Sequence, residues 1–166
     1  MRGWSAQKRP KEIPVEVWRG IQSMQLSDVG PRYLRVSCTA ESEYAMSSGE
    51  WLEVRNPLQE GMAVTAGAAD MLLYELPHHR PDKVQIDVYT TYRDENGVTH
   101  RECILTTAAS REQAREVDWE EWPAEEIVRA LGGRWRLSDT GRPLPVQPME
   151  PALDDLPPVA AEASGT

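Results

Sequence analysis

The sequence predicts an α+β domain built mainly on an antiparallel sheet of about six strands, which could also fold over as a sandwich. Three observations support this fold class. Residues 34–41 alternate apolar and polar side chains, as a half-buried strand does. Residues 84–107 form two strand patterns joined through an Asn-Gly pair, which suits a hairpin turn. Residues 124–131 then carry an apolar stripe at helical spacing.

Short strands are also expected nearer the N-terminus. Ile13, Val15 and Val17 alternate with proline, glutamate and tryptophan. This pattern suits an edge strand, because proline cannot donate to a central ladder. Residues 51–54 form a further short candidate, which an Asn-Pro pair closes.

The register of the hairpin over residues 84–107 stays open between two alternatives. A two-residue turn places Val88 opposite Leu105, whereas a four-residue loop places Val88 opposite Cys103. Both alternatives put Cys103 on the apolar face of the hairpin. The hairpin itself is the best-formed unit of the sequence.

Residues 62–76 are ambiguous between a helix and a strand. Ala66, Ala69 and Leu73 fit one face of a helix, while residues 71–76 also fit a buried strand. We favour a strand over residues 70–76, because the proline-bounded turn that follows leads directly into the hairpin.

Two short helices are expected after the hairpin. Ser110 followed by Gln113 is a capping-box pattern, in which each side chain satisfies a backbone donor near the helix start. Pro123 suits the first position of a second helix, which a Gly-Gly pair would end. A last short strand is expected over residues 135–137.

Charge and proline divide the chain into three parts. Residues 1–11 carry four cations and no acid, which predicts a flexible basic arm. Residues 12–142 form the expected single α+β domain. Residues 143–166 hold six of the thirteen prolines and four acids without a base, which predicts an extended Pro-rich acidic tail. Since the two ends cancel, the formal net charge of −9 belongs to the domain.

Composition excludes several classes of protein. No run approaches the roughly 18 apolar residues of a transmembrane helix, and the first residues lack the apolar stretch of a secretory signal. The net charge argues against a general nucleic-acid binder, since affinity for phosphate needs clustered cations. Only the basic arm could touch nucleic acid. We therefore expect a cytoplasmic protein, or one held in a particle assembled in the cytoplasm.

No catalytic or metal-binding set is expected, and no cofactor is expected. His100 and Cys103 lie three residues apart on one strand, so their side chains point to opposite faces. Cys103 and Cys38 are interpreted as buried, inert thiols, because their wide separation fits no zinc motif. His78 and His79 share a turn in which adjacent side chains point apart, which favours two solvated histidines over a metal site.

An acidic stretch with two tryptophans is the first candidate for a partner surface. Residues 111–126 carry seven carboxylates against two arginines, a net charge of −5. Tryptophan is enriched in interface hot spots. A core without phenylalanine would also use tryptophan to fill volume, and this chain has six Trp and no Phe. The candidate residues are Trp119, Glu120, Glu121 and Trp122.

A second candidate lies at the start of the tail. Arg142, Pro145 and Pro148 follow an Arg-x-x-Pro-x-x-Pro spacing. This seven-residue segment resembles an SH3-class ligand, in which a polyproline helix docks on aromatic side chains. The resemblance implies a protein partner for the segment and says nothing about the fold.

These observations favour a non-enzymatic protein-interaction or structural subunit, either an adaptor or a component of a larger bacterial or phage assembly. Two alternatives stay open. The acidic stretch could mimic nucleic acid and inhibit a nucleic-acid-binding protein, which requires its carboxylates on one exposed face. The domain could instead bind a small ligand or catalyse a reaction in a cleft near Tyr89, His100 and Cys103.

Overall fold

The computed structural model describes residues 13–41, 43–93 and 96–150. The expected basic arm, and residues 151–166 of the expected tail, lie outside the described residues. The helices are α1 (Val15–Gln22), α2 (Pro57–Tyr74), α3 (Arg111–Ala114) and α4 (Ala124–Ala130). The strands are β1 (Gln25–Gly30), β2 (Tyr33–Thr39), β3 (Glu43–Ser47), β4 (Glu50–Arg55), β5 (Lys83–Arg93), β6 (Thr99–Ser110), β7 (Arg136–Leu137) and β8 (Pro143–Leu144).

A four-stranded mixed sheet in the order β1-β2-β5-β6 forms the centre of the fold. β1 pairs antiparallel with β2, and β5 pairs antiparallel with β6. β2 and β5 pair parallel, which requires a crossover connection, and α2 lies in that connection. The predicted mixture of helices with about six main strands is confirmed. These strands form the four-stranded mixed sheet and a separate two-stranded antiparallel sheet of β3 and β4, not one antiparallel sheet. The sandwich arrangement is not confirmed.

Residues 13–17 lead into a helix, so the strand predicted there is wrong. Pro14 is the N-cap of α1, and the helix buries Val17, Trp18 and Ile21 on one face. The alternation in the sequence covers only three apolar positions, which is too short to separate a period of 2 from one of 3.6. Gly20 lies where α1 meets α2, because an added Cβ would lie 2.5 Å from Val64 Cγ2.

Residues 57–74 form one long buried helix, so the strand favoured over residues 70–76 is also wrong. Asn56 is the N-cap of α2, and its Oδ1 accepts a hydrogen bond from Leu58 N at 2.8 Å. Pro57 occupies the first turn, where a proline suits a helix. Fourteen of the eighteen residues of α2 are buried. Apolar and small residues therefore surround the helix, and the helical period is weak in the sequence.

The core lies between the sheet and the helices α1, α2 and α4. Trp18 and Tyr33 are buried, whereas Trp119 and Trp135 pack at the margin of the core. Aliphatic side chains therefore fill most of the interior, and of the tryptophans whose burial is described only Trp18 is buried. No helix in the described ranges is long and apolar enough to span a membrane.

The predicted hairpin is present and contains a bulge. Val88 lies opposite Leu105, as the two-residue alternative requires, but Tyr89 lies opposite Cys103. Nearer the turn Arg93 lies opposite Thr99, which fits neither alternative. Ile104 is therefore the extra residue of β6. The shift places Cys103 on the sheet face away from the helices, so its predicted position on the apolar face is wrong. Cys103 is nonetheless buried.

The two short helices predicted after the hairpin are present. Ser110 and Gln113 form the predicted capping box at the start of α3. Pro123 precedes α4 as its N-cap. Gly132 follows α4 with a φ of 82°, a left-handed conformation that favours glycine after a helix.

Residues 143–150 lie against the sheet, and we call them the C-terminal strap. Val146 N donates to Cys103 O at 2.9 Å. Met149 N donates to Thr106 Oγ1 at 3.0 Å, and Met149 O accepts from Gln85 Nε2 at 2.8 Å. Long-range hydrogen bonds therefore fix part of the segment expected as a tail to β5 and β6.

Candidate functional site

A concave surface of about 880 Å³ lies between the end of α4, β7 and the C-terminal strap. We call it the arginine groove. Three guanidinium groups and one indole dominate its lining, together with one carboxylate and part of the strap. The residues concerned are Glu102, Arg129, Arg134, Trp135, Arg136 and strap residues 145–147.

The backbone of Arg134 is fixed to the outer edge of β6. Arg134 N donates to Thr106 O at 2.9 Å, and Thr106 N donates to Arg134 O at 3.1 Å. Gly133 permits this close approach. An added Cβ there would clash with Val128 Cγ1 and would lie 3.0 Å from Thr107 Oγ1. The groove therefore has a rigid backbone floor that presents the exposed Arg134 side chain.

Arg129 and Trp135 hold each other in place. Arg129 Cζ lies 4.7 Å from the centroid of the Trp135 ring, within the range of a cation–π contact. The same guanidinium donates to Glu125 Oε2 from Nη2 at 2.8 Å and from Nε at 3.1 Å. Glu125 therefore pairs with Arg129, whose planar group lies over one side of the indole.

Arg134 and Arg136 carry the charge of the groove that is still available to a ligand. Arg136 Nη1 donates one long hydrogen bond, at 3.3 Å, to Pro145 O. Within the described ranges, no ion pair or hydrogen bond engages the Arg134 guanidinium. A guanidinium cannot act as a base near neutral pH, but it binds carboxylate and phosphate groups through paired donors. The lining therefore supplies binding groups for anions.

A buried polar cluster beneath the strap determines where one wall of the groove lies. Asp87 is 2% exposed, and its carboxylate accepts hydrogen bonds from Thr106 Oγ1 at 2.6 Å, Gln85 Nε2 at 3.1 Å and Arg35 Nε at 3.1 Å. We call these four residues the Asp87 cluster. Two of them, Gln85 and Thr106, also bind the backbone of Met149. The cluster therefore connects the sheet interior to the strap.

The ion pair in the Asp87 cluster favours the charged form of its arginine. Burial lowers the pKa of Arg35, but the hydrogen bond and the negative charge of Asp87 raise this pKa overall. Arg35 is therefore always protonated in the folded protein. A buried carboxylate with three donors is fully compensated, and such a group is costly to alter.

The predicted acidic partner surface divides into two parts. Trp119 is half-buried and packs edge-on against Tyr74, with ring centroids 6.1 Å apart. Trp122 is 37% exposed and lines a second groove of about 240 Å³ between α1, α2 and its own segment. Glu120 and Glu121 are exposed, and both backbone N–H groups donate to Asp118 Oδ1. Trp119 thus packs against the margin of the core, while the other three candidate residues lie on the surface.

The mimicry alternative requires the carboxylates of residues 111–126 to face solvent together. All seven carboxylate residues are exposed. Asp118 is engaged in capping the turn, and Glu125 is engaged with Arg129. Five carboxylates of the stretch have no such bond within the described residues, and they are distributed over α3, a turn and α4.

The predicted SH3-ligand-like segment, residues 142–148, overlaps the C-terminal strap. Pro145 forms part of the wall of the arginine groove, Pro148 is half-buried, and Arg142 is exposed. The bonds of Val146 and Met149 hold this segment on its own domain. An SH3-class partner would therefore have to detach the strap before it could bind the segment.

Among the described residues, histidine, cysteine and carboxylate side chains are the candidates for a metal site or for a nucleophile. No group of three or more His, Cys, Asp or Glu side chains is placed there to hold a metal ion. Burial, with a smaller contribution from the charge of Asp87, raises the pKa of Cys103 to about 11 and that of Cys38 to about 12. Both thiols are therefore protonated and weakly nucleophilic near neutral pH.

Sequence reasoning missed the arginine groove. Trp135 was interpreted as part of a short strand, with Arg134 and Arg136 as its polar flanks. The local signal was an Arg-Trp-Arg triplet directly after a Gly-Gly pair, in a domain with net negative charge. The contributions of Arg129 and the strap depend on tertiary contacts, which no local pattern shows.

Comparison of the chain with protein-family models, with curated proteins and with solved structures finds no match in any of the three. The function is therefore argued from the residues of the groove.

Proposed function

We propose that the chain is a non-enzymatic protein-interaction subunit, an adaptor or a component of a larger bacterial or phage assembly. The arginine groove is its contact surface for a protein partner. One observation carries this proposal: three guanidinium groups and an indole line one concave surface of a chain whose net charge is −9. Arginine and tryptophan are the side chains most enriched among interface hot spots. The proposed location is the cytoplasm, or a particle assembled there.

The rigidity of the groove supports a role in recognition. Arg134 is held by two backbone hydrogen bonds to Thr106, and Trp135 is held against Arg129. Side chains that are already positioned lose less conformational entropy when a partner binds. More of the interaction energy therefore contributes to affinity.

The charge distribution supports a defined orientation of the partner. The guanidinium groups of Arg134 and Arg136 have no carboxylate partner among the described residues. The net charge of the protein is −9, so a negatively charged partner is repelled elsewhere on the surface and attracted at the groove. Such complementarity increases the association rate and suppresses wrong encounters. Binding at this groove should therefore weaken with rising salt concentration.

A photo-crosslinking experiment in the native host tests the proposal. A benzophenone amino acid replaces Gln147, an exposed strap residue that lines the groove. A matched variant carries the same group at Glu112, an exposed residue of α3 outside the groove. We expect position 147, but not position 112, to form a covalent adduct with one protein, which mass spectrometry identifies.

Charge reversal provides the second arm of the experiment. Arg134→Glu and Arg136→Glu should remove the adduct formed from position 147, because both carboxylates would repel the acidic contact. Arg115→Glu makes the same charge change at an exposed position outside the groove and should leave the adduct unchanged. The proposal fails if position 147 forms no adduct in a folded variant, or if the adduct survives both groove reversals.

A further inference from the structure

We infer that the arginine groove takes an acidic peptide segment in extended conformation, with two carboxylates at alternate positions and an apolar side chain beside them. This inference rests on the proposed function and names the chemistry of the partner at the same site. It follows from the spacing of two arginines, the composition of the walls and the charge of the surrounding surface.

The spacing of the arginines matches an extended chain. Arg134 bridges to β6 and Arg136 begins β7, so the two residues are alternate positions of an extended backbone. Alternate residues of such a backbone lie on the same side and about 7 Å apart. An extended peptide with acidic residues at alternate positions has the same spacing. One carboxylate can therefore meet each guanidinium.

The number of available charges limits the ligand to about two carboxylates. Glu125 already binds Arg129, so Arg134 and Arg136 provide the remaining positive charge of the groove. The half-buried Glu102 carboxylate in the same lining opposes any negative charge beyond the two that these arginines bind. Arg136 now donates a 3.3 Å bond to Pro145 O, whereas charge-assisted bonds to a carboxylate are about 2.8 Å long. A bound carboxylate should therefore displace the carbonyl of Pro145 as the partner of Arg136.

The walls of the groove accommodate an apolar side chain. Pro145 and Val146 of the strap contribute aliphatic surface to the lining. A ligand made only of charged groups would leave this surface exposed to water. An apolar residue two positions from a carboxylate lies on the same side of an extended peptide and would bury this surface. Burial of apolar area favours binding.

The surrounding charge favours a short acidic peptide over a nucleic acid. A short peptide places both of its carboxylates in the groove and brings no negative charge to the rest of the surface. A polynucleotide also extends beyond the groove over a protein whose net charge is −9, with Glu112, Glu116 and Glu126 among its exposed carboxylates. Repulsion there opposes the attraction in the groove, and phosphate-directed affinity requires several cations together.

Fluorescence polarisation with the full chain tests the inference. The probe is a fluorescein-labelled peptide, Gly-Ser-Glu-Ser-Glu-Ser-Leu-Gly-Ser, in which both Glu and Leu occupy alternate positions on one side of an extended chain. Its matched control carries Gln in place of both Glu residues. An oligonucleotide of eight deoxythymidines serves as the nucleic-acid arm. We expect the acidic peptide to bind, its affinity to fall with salt, and the other two probes to bind at least tenfold more weakly.

Two variants locate the binding. Arg134→Gln and Arg136→Gln should each weaken binding of the acidic peptide about tenfold, the loss expected for one charge-assisted contact. Arg115→Gln should leave the affinity unchanged. Circular dichroism of each variant establishes that the fold is retained. Equal binding of the Gln control peptide, tighter binding of the oligonucleotide, or an equal loss in Arg115→Gln overturns the inference.

The two proposals fail in different ways. If position 147 crosslinks a partner and the adduct depends on Arg134, but the acidic peptide does not bind, the proposed function stands and the acidic-peptide inference is wrong. If neither the crosslink nor the peptide is observed with folded protein, both are wrong.

Discussion

The hydroxyl of Thr106 donates a 2.6 Å hydrogen bond to the buried carboxylate of Asp87. The same oxygen accepts a hydrogen bond from Met149 N, and the backbone of Thr106 bonds to Arg134 in both directions. One residue of β6 therefore connects the interior of the sheet, the C-terminal strap and the floor of the arginine groove. Changes in the sheet interior should consequently reach the groove.

Replacing the hydroxyl of Thr106 should lower stability. Thr106→Val keeps the shape of the side chain but leaves Asp87 without its shortest hydrogen bond and Met149 N without an acceptor. We expect the free energy of unfolding to fall by about 1–3 kcal/mol. Urea denaturation measures the change. Thr99→Val, at an exposed position of the same strand, should change stability by less than about 0.5 kcal/mol, and equal losses in both variants would refute the role of the cluster.

The strap should contribute to the stability of the domain. A chain that ends at residue 142 lacks the hydrogen bonds made by Val146 and by both backbone groups of Met149. Three such bonds contribute about 3 kcal/mol together. We therefore expect the chain ending at 142 to unfold at a lower urea concentration than a matched chain ending at 150. Identical unfolding curves would show that the strap adds nothing to the fold.

The contact of α1 with α2 should not tolerate a methyl group. In Gly20→Ala the new Cβ would lie 2.5 Å from Val64 Cγ2 and 3.1 Å from the backbone oxygen of Thr39. Alanine improves helix propensity by about 1 kcal/mol, but overpacking costs about 1–3 kcal/mol. We expect a net loss of about 1 kcal/mol in thermal or urea unfolding.

Gly30 offers a matched control for this substitution. A Cβ added at Gly30 would find its nearest neighbour, Tyr33 Cβ, at 3.7 Å, which is an ordinary contact distance. Gly30→Ala should therefore leave stability nearly unchanged. A Gly20→Ala variant at least as stable as the parent would contradict the close packing of the two helices.

The two thiols should resist modification in the folded protein. Burial raises the pKa of Cys38 to about 12 and that of Cys103 to about 11, from an ordinary value of 9.0. At pH 8 an aromatic disulfide reagent should label both cysteines in urea and neither in native buffer. Rapid labelling of native protein would contradict the burial of these residues.

The raised pKa of Cys38 also predicts a loss of stability in alkali. Above pH 9 the unfolded chain releases the proton of this thiol while the folded chain retains it, so unfolding becomes more favourable as pH rises toward 12. The contribution of Cys38 should fall by about 1 kcal/mol between pH 9 and 10. The free energy of unfolding of the parent minus that of Cys38→Ala should therefore decrease by about 1 kcal/mol between pH 9 and 10. If this difference is the same at both pH values, the prediction is wrong.

Local signals in the sequence predicted several elements correctly. The alternation of β2, the Asn-Gly turn of the hairpin and the capping box of Ser110 and Gln113 act over a few residues, so a single sequence shows them. The helix α2 escaped prediction for a physical reason. It is buried on nearly all sides, and a helix surrounded by the core shows no polar face.

The arginine groove could be predicted only in part. Arg134, Trp135 and Arg136 are adjacent in sequence, but the path of their backbone depends on Gly133 and on the edge of β6. The wall formed by Pro145 depends on the Asp87 cluster, which joins residues far apart along the chain. Composition suggested instead that the proline-rich segment lies beyond the domain.

The bulge in β6 is a position where the chain can lose one residue without a change in strand pairing. Ile104 has no partner of its own in β5, since Tyr89 pairs with Cys103 and Val88 with Leu105. Loss of its codon would let Leu105 follow Cys103 directly and keep every other cross-strand pair, so neither face of the hairpin would be exchanged. A gene that lacks this single codon would therefore still encode the same pairing surface, at the cost of one buried side chain and the bend that it introduces.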